Sequence, residues 1–468
     1  MRRSTGTDPA DLPERLPTVK RTAALAAALA TALAATLATA GTAAAQGAAR
    51  ADSYGTKTPY APQQDLRRYQ PVPAGYVPVF TENVARHGSR AMSDSEDGDA
   101  VLALLDQAEQ AGGLTGLGAQ LAPQVRALLD AGASIGYGNL SARGADEQRR
   151  TALRMEQRLP GLFDAIAAQG APIVVETSGV ARATASADAF TAGLVEGEPA
   201  LAGSVGAPIT DKNLLYFHKQ PQNAAYQAYV ANDPQLAAAL AAVDADPRTA
   251  EAARHTVGRL FTAAFAATLT AERQTAFARS LYALYSAAPD LSVEARGTDL
   301  DRFLTPPDAQ WFGYLDDAEE FYQKGPGFTG RTITYEMAGV LLDDLFAQVE
   351  HKAAGTSSAG AVLRFTHAEE IEPLAALLGL PGSTRQADPA HPYSYADNPW
   401  RGAEVAPMAA NLQWDLYRTA ADAAGRPGYL VRMFYNEKET AFKDACHPIA
   451  KGSSFYDLDE LERCFGRS

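Results

Sequence analysis

This sequence contains little cysteine, and its basic residues are outnumbered by acidic ones. Its 468 residues include two cysteines, which excludes a scaffold held by several disulfides and any zinc module built on cysteine clusters. Lysine and arginine total 41 against 55 acidic residues, a formal net charge of −14, which argues against nucleic acid as the main partner. Apolar residues make up 46% and charged residues 21%, so most of the chain is predicted to fold.

The N-terminal segment is predicted to be an export signal. A charge-free stretch at residues 22–45 consists mostly of alanine, leucine and threonine, and it ends in three alanines before Gln46, as signal cleavage requires. A transmembrane anchor is the alternative, but alanine and threonine make the stretch only weakly apolar. We therefore predict a signal peptide at residues 1–45, a loose lead-in at residues 46–70, a secreted mature chain and no stable membrane anchor.

Both cysteines, Cys446 and Cys464, lie near the C-terminus. Disulfides form in oxidising compartments, so we predict a bridge between them in the exported protein. The bridge would stabilise the fold by about 3 kcal/mol, mostly by restricting the unfolded chain. Two free buried thiols are the alternative, which export disfavours.

Four apolar runs are typical of buried strands, and each is followed by polar residues. Strands that alternate with helices predict an α/β fold with a mostly parallel sheet flanked by helices. Ligands of such sheets bind beyond the carboxyl ends of the strands, so the polar clusters there are expected to share one site. The four predicted strands are Val77–Ala85, Pro172–Glu176, Ala361–Thr366 and Tyr429–Tyr435.

The middle of the chain has helical periodicity and little strand signal. Apolar residues recur at helical spacing over residues 257–269 and again over residues 277–285. We predict an α/β domain formed by residues 71–205 and 333–468, interrupted by an all-helical insertion at residues 206–332.

The segment Arg86-His87-Gly88-Ser89-Arg90 follows the first predicted strand directly. Two guanidiniums flank an imidazole, and the planar fork of arginine donors suits phosphate oxygens. A neutral imidazole is a competent nucleophile toward phosphorus. Gly88 lets the backbone turn sharply and removes bulk beside the ring. A solvated basic loop is the alternative, but the pattern at a strand end favours a phosphate site.

Two further strand ends add candidate groups. Arg182 follows the second predicted strand, where a third guanidinium would face the same pocket, although alone it is typical of a surface arginine. After the third strand, His367 can donate to a phosphate oxygen and Glu369 can pass a proton to a leaving alkoxide. Alone, Glu369 is better explained as an acid that supports a helix dipole. Beside the first segment, the catalytic interpretation is favoured.

No metal site and no cofactor are predicted. The other histidines lack metal-ligand spacing and are interpreted as structural or surface residues; they are His218, His255, His351, His391 and His447. Four basic residues are possible secondary contacts to a phosphorylated substrate, although each alone is typical of a solvated side chain; they are Lys212, Lys219, Arg432 and Lys438.

Taken in this order, the segment at residues 86–90, Arg182 and the His-Ala-Glu sequence at residues 367–369 resemble the histidine acid phosphatase family. The common branch of that family has His-Asp at the last position. The His-Ala-Glu ending is similar to the multiple inositol polyphosphate phosphatase branch, and the likeness runs from about residue 70 to about residue 465. Many relatives have proline two residues after the first motif, where this chain has Met92.

The residues and the resemblance together predict the histidine phosphatase fold and a two-step hydrolysis of phosphomonoesters. His87 attacks phosphorus to form a phosphohistidine, and Glu369 protonates the departing oxygen. The resemblance implies small phosphorylated molecules, specifically inositol polyphosphates (phytate), as substrates. The groups expected to hold the phosphate oxygens are Arg86, Arg90, Arg182 and His367.

Three alternatives stay open. A broad-specificity histidine acid phosphatase would use the same residues on small monoesters. A non-catalytic exported phosphate-binding protein would bind without turnover, although binding alone needs neither His87 nor Glu369. A transferase resembling phosphoglycerate mutase is disfavoured by the export signal and the helical insertion. The order of phosphate removal, the final product and the number of subunits are not determined by the sequence.

Overall fold

The structure of the chain is a computed structural model that describes residues 53–420 and 427–467. The predicted export signal lies outside the described residues. Within those residues, no helix is long and apolar enough to cross a membrane.

A single sheet organises the described chain. Its strands in chain order are β1 (Tyr76–Arg86), β2 (Ile173–Thr177), β3 (Ile209–Thr210), β4 (Ala361–Thr366), β5 (Asn411–Thr419), β6 (Tyr429–Tyr435), β7 (Lys438–Glu439) and β8 (Phe455–Asp457). The spatial order is β3-β2-β4-β1-β5-β6-β7, and β8 pairs with β6. The four predicted strands are present: two have the predicted bounds, and the ends of the other two differ by one residue.

The first four strands of the spatial order pair in parallel, and the remaining pairings are antiparallel. The predicted α/β class is confirmed. Sequence analysis missed β5, which lies between β1 and β6 and is antiparallel to both. Consequently β6 has the same direction as β1, and the carboxyl ends of both reach one edge of the sheet.

Helices cover both faces of the sheet. Along β1 and β4 successive side chains alternate between two apolar clusters: Val84 and Val362 belong to one, Ala85 and Leu363 to the other. All six residues of β4 are buried, as expected for a central strand covered on both sides. The helices are α1 (Glu96–Gln110), α2 (Leu121–Ile135), α3 (Ala142–Arg158), α4 (Pro160–Gln169), α5 (Ala181–Gly197), α6 (Lys212–Leu215), α7 (Ala224–Asn232), α8 (Pro234–Asp244), α9 (Pro247–Leu260), α10 (Ala263–Ala266), α11 (Ala271–Ala287), α12 (Pro306–Gln323), α13 (Gly339–Ala353), α14 (Ala368–Leu378), α15 (Gly402–Val405) and α16 (Leu458–Phe465).

The predicted insertion at residues 206–332 is helical except for β3 at its start. That short strand extends the parallel part of the sheet beside β2. The apolar side chains of α9, α11 and α12 belong to the same cluster as those on one face of β1 and β4. The helical region therefore shares a core with the sheet, and its status as a separate domain stays a prediction.

The described part of the lead-in is held by polar contacts and is not loose. Lys57 pairs with Asp316 at 3.3 Å, and the hydroxyl of Tyr60 donates to Glu437 at 2.9 Å. Its proline and polar content gave no sign of these partners, which are distant in sequence. Near the other end of the chain, the predicted disulfide between Cys446 and Cys464 is confirmed.

Candidate active site

The carboxyl ends of three parallel strands bring the first candidate groups together. Arg86, the last residue of β1, is opposite Thr366 on β4, and the next residue, His87, donates its N–H to the Thr366 carbonyl at 2.9 Å. On the other side of β4, the N–H of Ser178 donates to the carbonyl of Phe365 at 3.1 Å. The residues that follow β1, β2 and β4 therefore share one edge, as predicted.

The loop after β1 packs unusually close to α3. A Cβ atom on Gly88 would lie 2.3 Å from the carbonyl oxygen of Gly144. Only glycine fits such a contact between two backbones. Gly88 thus serves this close approach, a reason that local sequence did not reveal.

The imidazole of His87 is buried, with 2% of the residue exposed, and it is held in one tautomer. Its Nδ1 lies 2.9 Å from the carbonyl oxygen of Gly88, which can only accept, so Nδ1 carries the proton and Nε2 keeps its lone pair. Burial, followed by the positive charge of Arg86 and other nearby cations, lowers the pKa of His87 well below its ordinary value. The ring is neutral, as a nucleophile must be.

The second imidazole faces the first. The ring centroids of His367 and His87 are 5.3 Å apart. The Nε2 of His367 lies 2.8 Å from the hydroxyl of Ser178, which accepts the N–H of Val180 and can donate its own proton to Nε2. Burial, then the charge of Arg182, lowers the pKa of His367 to about 3. A neutral ring that accepts at Nε2 carries its proton on Nδ1, and Nδ1 has no hydrogen-bond partner in the described chain.

Three guanidiniums lie near the imidazoles: Arg86 is buried, and Arg90 and Arg182 are half-buried. The Nε atoms of Arg86, Arg90 and Arg182 have no hydrogen-bond partner among residues 53–420 and 427–467. Arg86 is anchored through Nη1, which donates to the carbonyls of Thr56 and Ala406. Burial and then the charge of Arg182 lower the pKa of Arg90 to about 10. The guanidiniums repel one another, and a bound anion would relieve that repulsion and accept from the free N–H groups.

Glu369 lies in the first turn of α14, and its side chain is 31% exposed. Its Oε1 lies 3.5 Å from Nζ of Lys324, which also contacts Glu320 at 2.6 Å. Burial raises the pKa of Glu369, but Lys324 and then His218 and His367 outweigh burial and hold the pKa well below its usual range. These surroundings keep Glu369 a carboxylate, whereas the predicted role requires a proton on it.

Sequence analysis missed several residues that touch this centre. Ser178 follows β2, so its position after a strand end was an available signal. Tyr216, from the helical region, has its ring centroid 5.2 Å from that of His367. Nearby, Nδ1 of His218 lies 2.6 Å from Oε1 of Glu370. Lys324 follows α12. Tyr216, His218 and Lys324 come from the helical region, where sequence analysis proposed only Lys212 and Lys219 as possible contacts.

The secondary candidates lie in different surroundings. Lys212 and Lys219 are exposed and flank Tyr216 in sequence, and Lys438 is exposed on β7. The prediction is wrong for Arg432, which is 3% exposed in the middle of β6. Its two terminal guanidinium nitrogens donate to the Tyr417 hydroxyl and pair with acidic residues of the sheet, and its Nε is buried without a partner in the described chain.

Positive charge at this edge comes from side chains. Within the described ranges, no group of three or more histidine, cysteine, aspartate or glutamate residues is placed to hold a metal ion. The arrangement instead offers free N–H donors, a neutral imidazole nucleophile and a nearby carboxyl. Such a set can bind a tetrahedral oxyanion and attack its central atom.

Comparison with known proteins agrees with this chemistry. Residues 80–436 match the family described as Histidine phosphatase superfamily (branch 2). The crystal structure of Bifidobacterium longum multiple inositol polyphosphate phosphatase in complex with inositol hexasulfate is similar, with 33% identity and a TM-score of 0.81, covering 88% of this chain and 97% of that one. The phytase from D. castellii, with 15% identity, a TM-score of 0.60 and coverage of 88% and 84%, shows the fold alone.

A curated relative is also similar over a shorter range. Multiple inositol polyphosphate phosphatase 1 of Gallus gallus is 28% identical over 167 residues, which are 34% of this chain and 36% of that protein. The match thus spans only about a third of the curated relative. The family match and the solved structure cover most of the chain. The chain therefore belongs to branch 2 of the histidine phosphatase superfamily, among the multiple inositol polyphosphate phosphatases, and is a phosphoric monoester hydrolase.

Proposed function

We propose that this protein hydrolyses inositol polyphosphates through a phosphohistidine on His87, with Glu369 as the proton donor. The observation that carries the proposal is the neutral His87 imidazole, whose Nε2 keeps its lone pair, beside three guanidiniums with free Nε–H groups. The substrate class rests on relatives named as multiple inositol polyphosphate phosphatases.

In the first step, Nε2 of His87 attacks phosphorus in line. The bond between phosphorus and the ester oxygen breaks, its electron pair stays on that oxygen, and the oxygen takes a proton from Glu369. The N–H groups around the phosphoryl group stabilise the charge on its equatorial oxygens. These donors are the Nε–H groups of Arg86, Arg90 and Arg182 and the Nδ1–H of His367.

In the second step, water attacks the phosphohistidine. The carboxylate of Glu369 takes a proton from the water, the phosphorus–nitrogen bond breaks, and its electron pair returns to Nε2. Phosphate leaves, and both residues regain the states in which they entered the first step.

Glu369 needs a proton before the first step, although it is ionised without substrate. A phosphate dianion between the arginines cancels part of the positive field and brings negative charge near the carboxyl, which raises its pKa. We therefore infer that substrate binding protonates Glu369 and that the reaction is fastest at acidic pH.

We also infer that the mature chain is exported after removal of residues 1–45. The disulfide between Cys446 and Cys464 supports this inference, because such bonds persist in oxidising compartments.

The intermediate provides the test. Glu369→Gln lacks the base for the second step, so with an aryl phosphate, whose leaving group needs no acid, the phosphoenzyme should accumulate. The reaction is quenched in alkaline denaturant, because phosphohistidine is labile to acid, and the labelled residue is mapped. Label on His87 supports the proposal, and label on another residue, or none during turnover, overturns the mechanism.

The substrate is tested separately. The specificity constant of the wild-type protein for inositol hexakisphosphate should exceed that for an aryl phosphate. The reverse order would indicate a broad-specificity acid phosphatase. Tight phosphate binding with no release from either ester would indicate a non-catalytic binding protein.

A further inference from the structure

Ser89 lies between Gly88 and Arg90 in the loop after β1, is fully buried and contacts two carboxyl groups. Its hydroxyl oxygen lies 2.9 Å from Oε1 of Glu147 and 2.9 Å from Oδ1 of Asp290. A hydroxyl donates one proton, so both contacts are full hydrogen bonds only if one carboxyl group donates to the serine. The oxygens must therefore share a second proton.

Their surroundings decide which group carries it. Glu147 accepts the N–H of Ser89 at 2.8 Å, the N–H of Tyr60 at 3.1 Å and Nε of Arg143 at 3.4 Å, so its carboxylate form is well satisfied. For the Asp290 side chain, the described chain shows one hydrogen bond, the contact with Ser89. Asp290 is 1% exposed, and a buried carboxylate with one partner is costly.

The backbone around Ser89 is held just as firmly. Ser141, which caps α3, donates its N–H to the Ser89 carbonyl at 2.9 Å and its hydroxyl to the Asp290 carbonyl at 2.7 Å. Asp290 belongs to the helical region, in the short 3-10 turn Ala288–Leu291. The network thus joins the helical region to the loop that carries His87 and Arg90.

We propose that Asp290 is a protonated acid that donates to Ser89, and that this proton positions Arg90 for phosphate by keeping a carboxylate charge away from it. Asp290 and Arg90 line one cavity of about 250 Å³, together with Lys57, Asp94 and Asp97. An ionised Asp290 would attract the guanidinium and partly neutralise it. Asp290 is a positioning residue, because it acts on the anion through Arg90.

Electrostatics support this assignment. Burial, then the negative charge of Glu147, raises the pKa of Asp290 to about 8, against the lowering influence of Ser89, Arg90 and Arg86. Burial also raises the pKa of Glu147. The charged groups facing this network are Glu147, Arg143, Arg90, Arg86 and, across the cavity, Lys57, Asp94 and Asp97.

Sulfate is the probe, because its charge is constant between about pH 6 and about pH 9 and its binding needs no turnover. For the wild-type protein, calorimetry should show sulfate affinity falling about tenfold over that range, the effect of about one pKa unit of coupling. Asp290→Asn keeps a donor and cannot ionise, so its affinity should fall less than the wild type's. Asp97→Asn, which removes a charge from the same cavity without touching Ser89, should behave as wild type.

Infrared spectroscopy gives a second measurement, which detects the carboxyl proton directly and does not depend on sulfate binding. The spectrum of the wild-type protein minus that of Asp290→Asn should show the carbonyl stretch of one protonated carboxylic acid at neutral pH, and this difference band should be lost as the pH rises past about 8. The difference is needed because burial also raises the pKa of Glu82 to about 8. An equal fall in sulfate affinity for wild type and Asp290→Asn, or no such band in the difference spectrum, overturns the inference. The inference rests on the proposed phosphate-holding role of Arg90, and failure of sulfate to bind at any pH would contradict that role instead.

Discussion

The loop after β1 and the start of α14 carry the two groups that the proposed reaction needs, and they differ in construction. The loop is fixed by backbone bonds to β4 and by close packing on α3, with His87 only 2% exposed. At the start of α14, the Glu369 side chain is 31% exposed and depends on a lysine distant in sequence.

Nearby positive charge lowers both pKa values, chiefly that of Arg86 at His87 and that of Lys324 at Glu369. It opposes a proton on His87, together with burial, and it favours a negative charge on Glu369 against burial. A site of this sign prepares the nucleophile in advance and prepares the acid only when an anion arrives. We therefore expect anion binding to be coupled to protonation of Glu369, whereas the His87 ring is neutral before an anion binds.

The largest effect is expected from removing the nucleophile. His87→Ala should lower kcat by about 10⁴-fold or more on every phosphomonoester, because no other group can form the covalent intermediate. Steady-state rates on an aryl phosphate and on inositol hexakisphosphate measure the effect, with circular dichroism as the control for folding. A folded variant that keeps a tenth of the wild-type rate would contradict the assignment.

Removing the acid should be more selective. Glu369→Gln should lower kcat by about 10²-fold to about 10⁴-fold on inositol hexakisphosphate, whose alkoxide needs a proton, and much less for formation of the phosphoenzyme from an aryl phosphate. Burst kinetics separate this step from turnover. Equal losses in both first steps would show that Glu369 does not act on the leaving group.

A subtler change tests the charge that controls Glu369. Lys324→Met removes the cation 3.5 Å from the carboxyl, so the pKa of Glu369 should rise and its protonated form should persist to higher pH. The acidic optimum of kcat should move upward by about one pH unit. Lys324→Arg keeps the charge and is the matched control. A profile that stays in place or moves downward is incompatible with this account.

The smallest effect on activity is expected from a change outside both regions. The disulfide joins the chain after β7 to α16, so Cys446→Ser combined with Cys464→Ser should leave kcat unchanged. Urea denaturation should show a free energy of unfolding lower by about 3 kcal/mol. A loss of activity in the folded variant would mean that the C-terminal segment also shapes the site.

Prediction of the fold failed where polar residues are buried. In β5 the residues Asn411, Gln413 and Asp415 are buried although they alternate with apolar ones. Such a run does not resemble the continuous apolar strands that were sought. The charge of Asp415 is satisfied by a residue distant in sequence, because Arg158 on α3 binds both of its carboxylate oxygens at 3.0 Å. Only the folded chain supplies that partner.

By itself, the sequence determined which chemical groups end each parallel strand. His87, Arg90 and His367 are specified locally, because an apolar run followed by these residues places them at one edge of any parallel sheet. Tertiary structure alone decided which groups surround these side chains and Glu369. Ser178 contacts His367, Lys324 lies beside Glu369, and the charge of Asp290 acts on Arg90. The reason is physical: a pKa depends on burial and on charges a few ångströms away, and those neighbours are far apart along the chain.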